Sequence, residues 1–185
     1  GIPTNIKNTN QPDDPGTLIV MTDAECGQDG VITGIAGHMN FTLLSIEKAM
    51  MNAEIGFGRR VLQAIEDFGV SFEHLPTGID TMCVILPDSD LINRKEQIIE
   101  RIEESCHPDS IELSSGLALI ATVGRGMVQK PGTAARLFTA LANANVNVRM
   151  IDQGSSELNI IIGVKNSDFE EAIKAIYDIF IATEV

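Results

Sequence analysis

The order of apolar and polar residues along the chain changes its period several times, which indicates alternating strands and helices. LALIATV at 117–123 is a continuous apolar run typical of a buried strand, and TAARLFTALANA at 133–144 repeats its apolar residues at helical spacing. VNVRMID at 146–152 and ELNIIIGV at 157–164 then alternate as the two strands of a hairpin. NSDFEEAIKAIYDIFI at 166–181 opens with capping residues and has the apolar period of a closing helix.

The first half of the chain repeats this order of elements. FTLLSI at 41–46 predicts a strand, GFGRRVLQAIEDFG at 56–69 a helix, and VSFEHLP at 70–76 with IDTMCVILP at 79–87 a hairpin. DSDLINRKEQIIERIEES at 88–105 predicts a second helix with acidic residues capping its start.

Five residues recur at one constant spacing, which indicates an internal duplication. The identical pairs are Gly56 and Gly132, Arg60 and Arg136, Ala64 and Ala140, Val70 and Val146, and Gly78 and Gly154, all of which differ by 76 positions. No insertion or deletion separates them. The chain is therefore predicted to contain two copies of one structural unit.

Strand, helix, hairpin and helix is the order of the split βαβ fold, an antiparallel sheet covered by helices. We therefore predict an α+β protein with two ferredoxin-like βαββαβ units, at 31–115 and 116–185, preceded by a linker at 1–30. The last helix leaves little chain for a final strand in the second unit. We hypothesise that 31–37 completes the sheet of the second unit and that 111–115 completes the first, which would interlock the two units.

The charge of the chain narrows the class of partner. Thirteen Lys and Arg against 26 Asp and Glu give a formal net charge of −13, which disfavours binding to nucleic acid or to an anionic membrane surface. No apolar run is long enough to span a membrane, and the first residues do not have the pattern of a secretion signal. We expect a soluble, cytoplasmic protein that is free to bind a cationic or zwitterionic small molecule.

The sequence contains no recognisable catalytic or metal-binding pattern. Its three histidines, His38, His74 and His107, are far apart, and its three cysteines have neither disulfide-framework nor zinc-site spacing. VGRGMVQKPG at 123–132 resembles a phosphate loop only superficially, because it fits neither glycine-rich template. We interpret it as a strand-to-helix turn in which glycine permits close approach of the chain. No catalytic residue and no metal ligand are therefore assigned.

The turn before the first predicted helix has the chemistry of an amino-acid site. The backbone N–H groups of a helix N-terminus suit a carboxylate, and Glu54 lies beside this turn in the sequence. Glu73 on the next strand and Asp80 after it add negative charge that suits an ammonium group. The alternative is that all three carboxylates are solvated charges at turns and strand edges.

Long segments of the chain resemble the regulatory region of aspartokinases, which consists of paired ACT domains. GRGMVQKPGTAARLFTALANANVNVRMIDQGSSELNI at 124–160 has the family's GxGM…PG turn and RMIxQGSSExNI hairpin. GIPTNIKNTNQPDDPGTLI at 1–19 resembles the stretch that joins kinase domain to regulatory region. EIGFGRRVLQAIEDFGVSFEHLPTGID at 54–80 resembles the first ACT domain of the monofunctional, lysine-responsive branch.

The resemblance implies an effector site in the first unit. The corresponding positions are Met51, Glu54, Gly56, Phe57, Gly58, Phe72, Glu73, Thr77, Gly78, Ile79 and Asp80. The N–H groups of Gly56, Phe57 and Gly58 would hold the α-carboxylate of the effector. Glu73 would hold its α-amino group, and Glu54 or Asp80 would hold the side-chain ammonium of L-lysine.

The resemblance also implies the function. Aspartokinases phosphorylate aspartate with ATP, and their ACT pair mediates feedback inhibition by an end-product amino acid, here L-lysine. L-threonine, alone or together with lysine, is the alternative effector, and a module that serves mainly dimerisation is a further alternative. A homodimer formed through ACT surfaces is expected.

The kinase domain of the parent chain is a further expected partner. The family's KFGG phosphate motif is not found in these 185 residues, so this chain should be inactive alone. ATP and magnesium are expected only for that missing domain, and no cofactor is assigned to this chain. It is expected to be a fragment of an aspartokinase or, alternatively, a separately made regulatory subunit.

Overall fold

The computed structural model describes residues 2–19 and 30–181 of the chain. The helices are α1 (Phe57–Glu66), α2 (Lys95–Cys106), α3 (Thr133–Asn143) and α4 (Phe169–Phe180). The strands are β1 (Thr4–Ile6), β2 (Thr17–Ile19), β3 (Gly34–Glu47), β4 (Thr81–Pro87), β5 (Ser110–Val123), β6 (Met150–Asp152) and β7 (Asn159–Lys165). Single turns of 3-10 helix lie before three of the helices, at Met51–Ala53, Arg125–Met127 and Asn166–Asp168.

Strands β3 and β5 run through both halves of the molecule. They lie at the centre of a five-stranded antiparallel sheet with the order β4-β3-β5-β7-β6, while β1 and β2 form a separate hairpin. Residues 34–38 of β3 pair with 119–123 in the second unit, and residues 42–47 pair with 110–115 in the first unit. The predicted α+β fold and the exchange of strands between the units are therefore confirmed. The domain boundaries at 30 and 115 remain a prediction.

The sequence predicts four separate strands where the structure has two long ones. Residues 34–37 of the run at 31–37 and the whole run at 41–46 belong to β3, and the runs at 111–115 and 117–123 belong to β5. Asn40, with φ 71°, and Gly116, with φ 78°, lie where the register of the pair shifts. Such β-bulges bend a strand without ending it, so each strand continues into the other unit.

Each half of the sheet packs against its own pair of helices. Leu44 and Ile46 of β3 lie in a buried cluster with residues of α1 and α2. Ala118 and Ile120 of β5 lie in a second cluster with residues of α3 and α4. The two clusters are the cores of the two duplicated units.

A third buried cluster lies on the opposite face of the sheet and joins the units. Leu117 and Leu119 belong to it, and they alternate along β5 with the residues that face the helices. The cluster also contains Ile85 of β4 and Met150 of β6, which are the two outer strands of the five. The sheet therefore curls until its two edges approach each other.

Two predicted strands are shorter than the sequence pattern indicates. Residues 70–76 form no regular strand, and isolated bridges occur only at His74 and, directly after the segment, at Thr77, consistent with Pro76 having no N–H to donate. Of the strand predicted at 146–152, only Met150–Asp152 forms a strand.

The second helix of each unit, α2 or α4, lacks the predicted N-terminal cap. The helix predicted at 88–105 starts only at Lys95, because Asn93 has a left-handed φ of 59° that interrupts it. No side chain caps the first turn of α2 or of α4, so the predicted acidic and Asn/Ser/Asp caps are wrong.

The duplicated arginines have one structural role in both units. Arg60 donates through Nε to the carbonyl oxygen of Ser105 at 3.0 Å, near the end of α2. Arg136 donates to the carbonyl oxygen of Ile179 at 2.6 Å, near the end of α4. A cation at the C-terminus of a helix is stabilised by the unpaired carbonyls there. This explains why an arginine recurs at this position of the duplicated pattern.

The close packing of Gly124 against residues 31–33, which lead into β3, gives a stability test. A Cβ at Gly124 would lie 2.5 Å from the carbonyl oxygen of Val31, whereas a Cβ at Gly34 meets nothing within 4 Å. We expect Gly124→Ala to lower the free energy of unfolding by about 1–3 kcal/mol. We expect Gly34→Ala, the matched control in β3, to change it by less than about 0.5 kcal/mol. Urea unfolding followed by circular dichroism measures both; equal effects would contradict the packing argument.

Candidate functional site

The predicted effector turn of the first unit lies between β3 and α1. The 3-10 turn Met51–Ala53 follows Met50, whose φ is 59°, and Gly56 with φ 81° leads into α1. Phe57 and Met51 are buried in the core of the first unit. Their side chains therefore support the turn from inside and do not face solvent.

Glu54 is held by the protein's own cations. Its carboxylate accepts from Lys48 Nζ at 2.8 Å and also pairs with the Arg60 guanidinium. The hydrogen bond from Lys48, together with the charges of Lys48 and Arg60, holds the pKa of Glu54 below its ordinary value of 4.5. Lys48 also donates to the carbonyl oxygen of Cys106 at 2.5 Å and lies 5.5 Å from the centre of the Phe57 ring. Glu54 therefore joins the turn to the end of α2.

The amides of the turn are only partly engaged. The N–H of Phe57 donates to the carbonyl oxygen of Glu54 at 3.3 Å. The N–H groups of Gly56 and Gly58 have no hydrogen-bond partner among the residues that the structure describes, and no side chain caps α1. Two of the three amides predicted to hold a carboxylate are thus open to a ligand in this arrangement.

The hairpin end at 77–81 packs on the same turn. Asp80 Oδ1 accepts from the N–H of Met50 at 2.9 Å, and the carbonyl oxygen of Asp80 accepts from the N–H of Lys48 at 2.9 Å. The carbonyl oxygen of Ile79 accepts from the N–H of Asn52 at 3.2 Å. The structure therefore brings Ile79 and Asp80 together with the turn.

Glu73 and Phe72 lie on the segment that borders β4. The N–H of Glu73 donates to the carbonyl oxygen of Ile85 at 2.9 Å, while its carboxylate forms no hydrogen bond or ion pair within the described part of the chain. The side chain of Phe72 is about half exposed. Of the three predicted carboxylates, Glu73 is thus the one without a partner.

Thr77 and Gly78 line a cleft that sequence analysis did not predict. The cleft has a volume of about 500 Å³ and lies between the end of the 73–77 segment and β6 of the second unit. Asp152 and Gln153 line its other side. No sequence signal indicated it, because it depends on the curl that brings the two sheet edges together.

The corresponding turn of the second unit also borders a cleft, with a volume of about 330 Å³. It is lined by Lys130, Gly132 and Thr133 at the start of α3, and by Glu157, whose carboxylate accepts from the N–H of Gln129 at 2.6 Å. Lys130 stands where the first unit has Glu54, so the two turns differ in charge. The spacing of 76 was the signal that relates them.

The glycines at 124 and 126 are explained by packing. Added Cβ atoms at Gly124 and Gly126 would lie within 2.6 Å of backbone oxygens of Val31 and Gly30. The interpretation of this segment as a turn of close approach is confirmed. Within 2–19 and 30–181, no group of three His, Cys, Asp or Glu side chains is arranged to hold a metal ion.

Two further sequence-based expectations concern cysteines and membranes. Cys83 and Cys106 are free thiols, and Cys26 lies outside the described residues. None of the helices in the described ranges has the length and apolar character to cross a membrane.

Comparisons with known proteins agree with this architecture. Residues 120–180 match the family model described as ACT domain. The chain is 44% identical over 183 residues to Aspartokinase 3 of Bacillus subtilis (strain 168), covering 98% of this chain and 40% of that protein. The crystal structure of Clostridium acetobutylicum aspartate kinase, described as an allosteric enzyme, superposes with a TM-score of 0.92 at 53% identity, over 97% of this chain and 42% of that chain.

A more distant structure shows the same fold. Escherichia coli aspartokinase III in complex with lysine and aspartate, in its T state, superposes with a TM-score of 0.72 at 22% identity, over 92% of this chain and 38% of that chain. The chain thus spans about 40% of the length of the curated relative that it matches at 44% identity.

The duplicated βαββαβ units and the family match define a protein built from ACT domains. The chain belongs to the aspartokinase family and corresponds to its regulatory region. Almost all of this chain is covered by the match. Its class of function is allosteric regulation by amino acids.

The ion cluster of the turn gives a test of acid stability. Because the pKa of Glu54 is lowered in the folded state, its pairing stabilises the fold above the ordinary pKa of 4.5 and is lost as the pH falls through the lowered pKa. Glu54→Gln should therefore reduce the part of the unfolding free energy that is lost on acidification below pH 4.5. Chemical unfolding across this range measures it, with Glu73→Gln as the unpaired control. An unchanged acid dependence in Glu54→Gln would contradict the pairing.

Proposed function

We propose that this chain is the region through which L-lysine inhibits an aspartokinase, with the first unit as the effector site. The observation that carries the proposal is the open amides of Gly56 and Gly58 on the same turn that the Asp80 carboxylate contacts. An amino acid has a carboxylate and an ammonium group, and these groups complement such a site. The family match and the lysine complex of E. coli aspartokinase III support the choice of effector.

The charge of the site decides how L-lysine is oriented. The α-carboxylate lies at the N-terminus of α1, near the amides of Gly56 and Gly58. The α-amino group is bound by Glu73, and the side-chain ammonium by Asp80, whose Oδ2 forms no hydrogen bond among the described residues. Glu54 is the weaker choice for that ammonium, because Lys48 and Arg60 already neutralise it.

L-Threonine is the second candidate effector. The neutralisation of Glu54 favours it, because a neutral side chain needs no carboxylate at this position. Sensing of lysine and threonine together belongs to the same alternative. Isothermal titration with L-lysine, L-threonine and L-methionine separates the candidates.

The parent protein follows from the same proposal. A kinase domain in the rest of a longer chain would bind ATP and magnesium and phosphorylate aspartate, and effector binding to the ACT region would inhibit it. Such inhibition requires an effector that binds one arrangement of the protein more tightly than another. A cytoplasmic location for this protein is part of the proposal.

Removal of the unpaired carboxylate tests the site. Glu73→Gln should weaken L-lysine binding by about 1.5–3 kcal/mol, because it removes one charge-assisted hydrogen bond. The fold should be unaffected, since the side chain has no partner in the described part of the chain. Isothermal titration measures the affinity, and Glu100→Gln on the exposed surface of α2 is the matched control. Equal affinity in Glu73→Gln and the wild type would contradict the site.

A homodimer through ACT surfaces is part of the proposal and has its own test. Ile55 and Ile79 are 97% and 70% exposed, and both lie on segments that border the turn, so they are the apolar side chains that a second copy would cover there. The double variant Ile55→Ser/Ile79→Ser should shift the protein from dimer to monomer in sedimentation, with and without L-lysine. Ile92→Ser, at a side chain 66% exposed and outside this region, should not. A wild type that is monomeric under both conditions would overturn the dimer.

A further inference from the structure

The two edges of the curled sheet meet at a single polar contact. His74 Nδ1 lies 3.0 Å from Asp152 Oδ2, and the two side chains are 21% and 41% exposed. His74 belongs to the 73–77 segment of the first unit and Asp152 to β6 of the second. Among the described residues, no other hydrogen bond or ion pair joins this segment to β6.

Each edge is bound to its own unit on the far side. Ile85 of β4 donates its N–H to the carbonyl oxygen of His74 at 2.9 Å, and Cys83 donates to that of Pro76 at 2.8 Å. On the other edge, Asp152 pairs with Ile161 of β7. Beyond this contact, the cleft of about 500 Å³ separates the two edges. His74 and Asp152 are therefore the polar side chains that join the two edges at this cleft, in addition to the apolar cluster on the inner face of the sheet.

The segment that His74 anchors continues directly into the proposed effector site. Thr77 and Gly78 follow three and four residues after it and line the cleft, and Asp80 then contacts the turn before α1. A shift of the 73–77 edge relative to β6 moves these residues as well, because a short segment of backbone cannot absorb it.

We propose that His74 and Asp152 are positioning residues, which hold the edge bearing Thr77 and Gly78 against the second unit and set the geometry of the effector turn. The predicted effect on effector binding rests on the proposed function. The joining of the two sheet edges by this pair does not depend on it. The pair also connects the first unit to the second, so that effector binding in the first unit can change the position of β6. Neither residue needs to touch the effector.

The first experiment measures the junction itself, by amide hydrogen exchange of the wild type, His74→Ala, Asp152→Ala and the double variant. Exchange should rise by up to about fivefold in each single variant at 75–78 and 151–153, as for the loss of one partly exposed hydrogen bond. The double variant should show no further increase, and the swap His74→Asp/Asp152→His should restore protection. Asp13→Ala in the exposed β1-β2 loop is the charge-matched control. Unchanged exchange at both edges would overturn the proposal.

The second experiment measures L-lysine affinity of the same proteins by isothermal titration. Each single variant should bind up to about fivefold more weakly, the double variant no more weakly than the singles, and the swap close to wild type. Wild-type affinity in both single variants would overturn the positioning role and leave the proposed function standing. Absence of lysine binding by the wild type would overturn the proposed function and the positioning role together, and hydrogen exchange then decides whether the pair joins the edges.

Discussion

Strands β3 and β5 pair with each other through both units, and the remaining architecture depends on this pairing. Each unit obtains part of its sheet from a strand that continues into the other unit. Separate movement of the units would break backbone hydrogen bonds at the centre of the sheet, which is far more costly than the loss of surface contacts. The duplicated units therefore behave as one interlocked body, in which small changes at the sheet edges are the available motion.

The bulges at Asn40 and Gly116 make this pairing compatible with three cores. They let the sheet bend, so that helices cover one face of each half and a third apolar cluster fills the inner face. Without the bend, Ile85 and Met150 would lie at opposite ends of a flat sheet. The bend thus brings together residues that share neither a unit nor a neighbouring strand, and it creates the cleft beside the effector turn.

The two copies of the turn have diverged although they share a backbone plan. Gly56 and Gly132 both have a left-handed φ immediately before a helix, and both helices have an arginine that binds the end of the neighbouring helix. In the first copy, Lys48 and Arg60 neutralise Glu54, whereas the second copy has Lys130 at that position. Duplication preserved what the fold needs, while the charges available to a ligand changed between the copies.

The sequence by itself determined the duplication, the order of strands and helices, the exchange of strands and the turn that precedes α1, because these follow from local periodicity, glycine positions and the 76-residue repeat. The position of Asp80 near the turn also follows from the sequence pattern, since the second strand of the predicted hairpin runs back alongside the first. Only the tertiary structure decided that Glu54 is neutralised, that Glu73 is left without a partner, and that His74 meets Asp152. Those outcomes depend on distances between side chains far apart in the chain, and on a curl that no local pattern encodes.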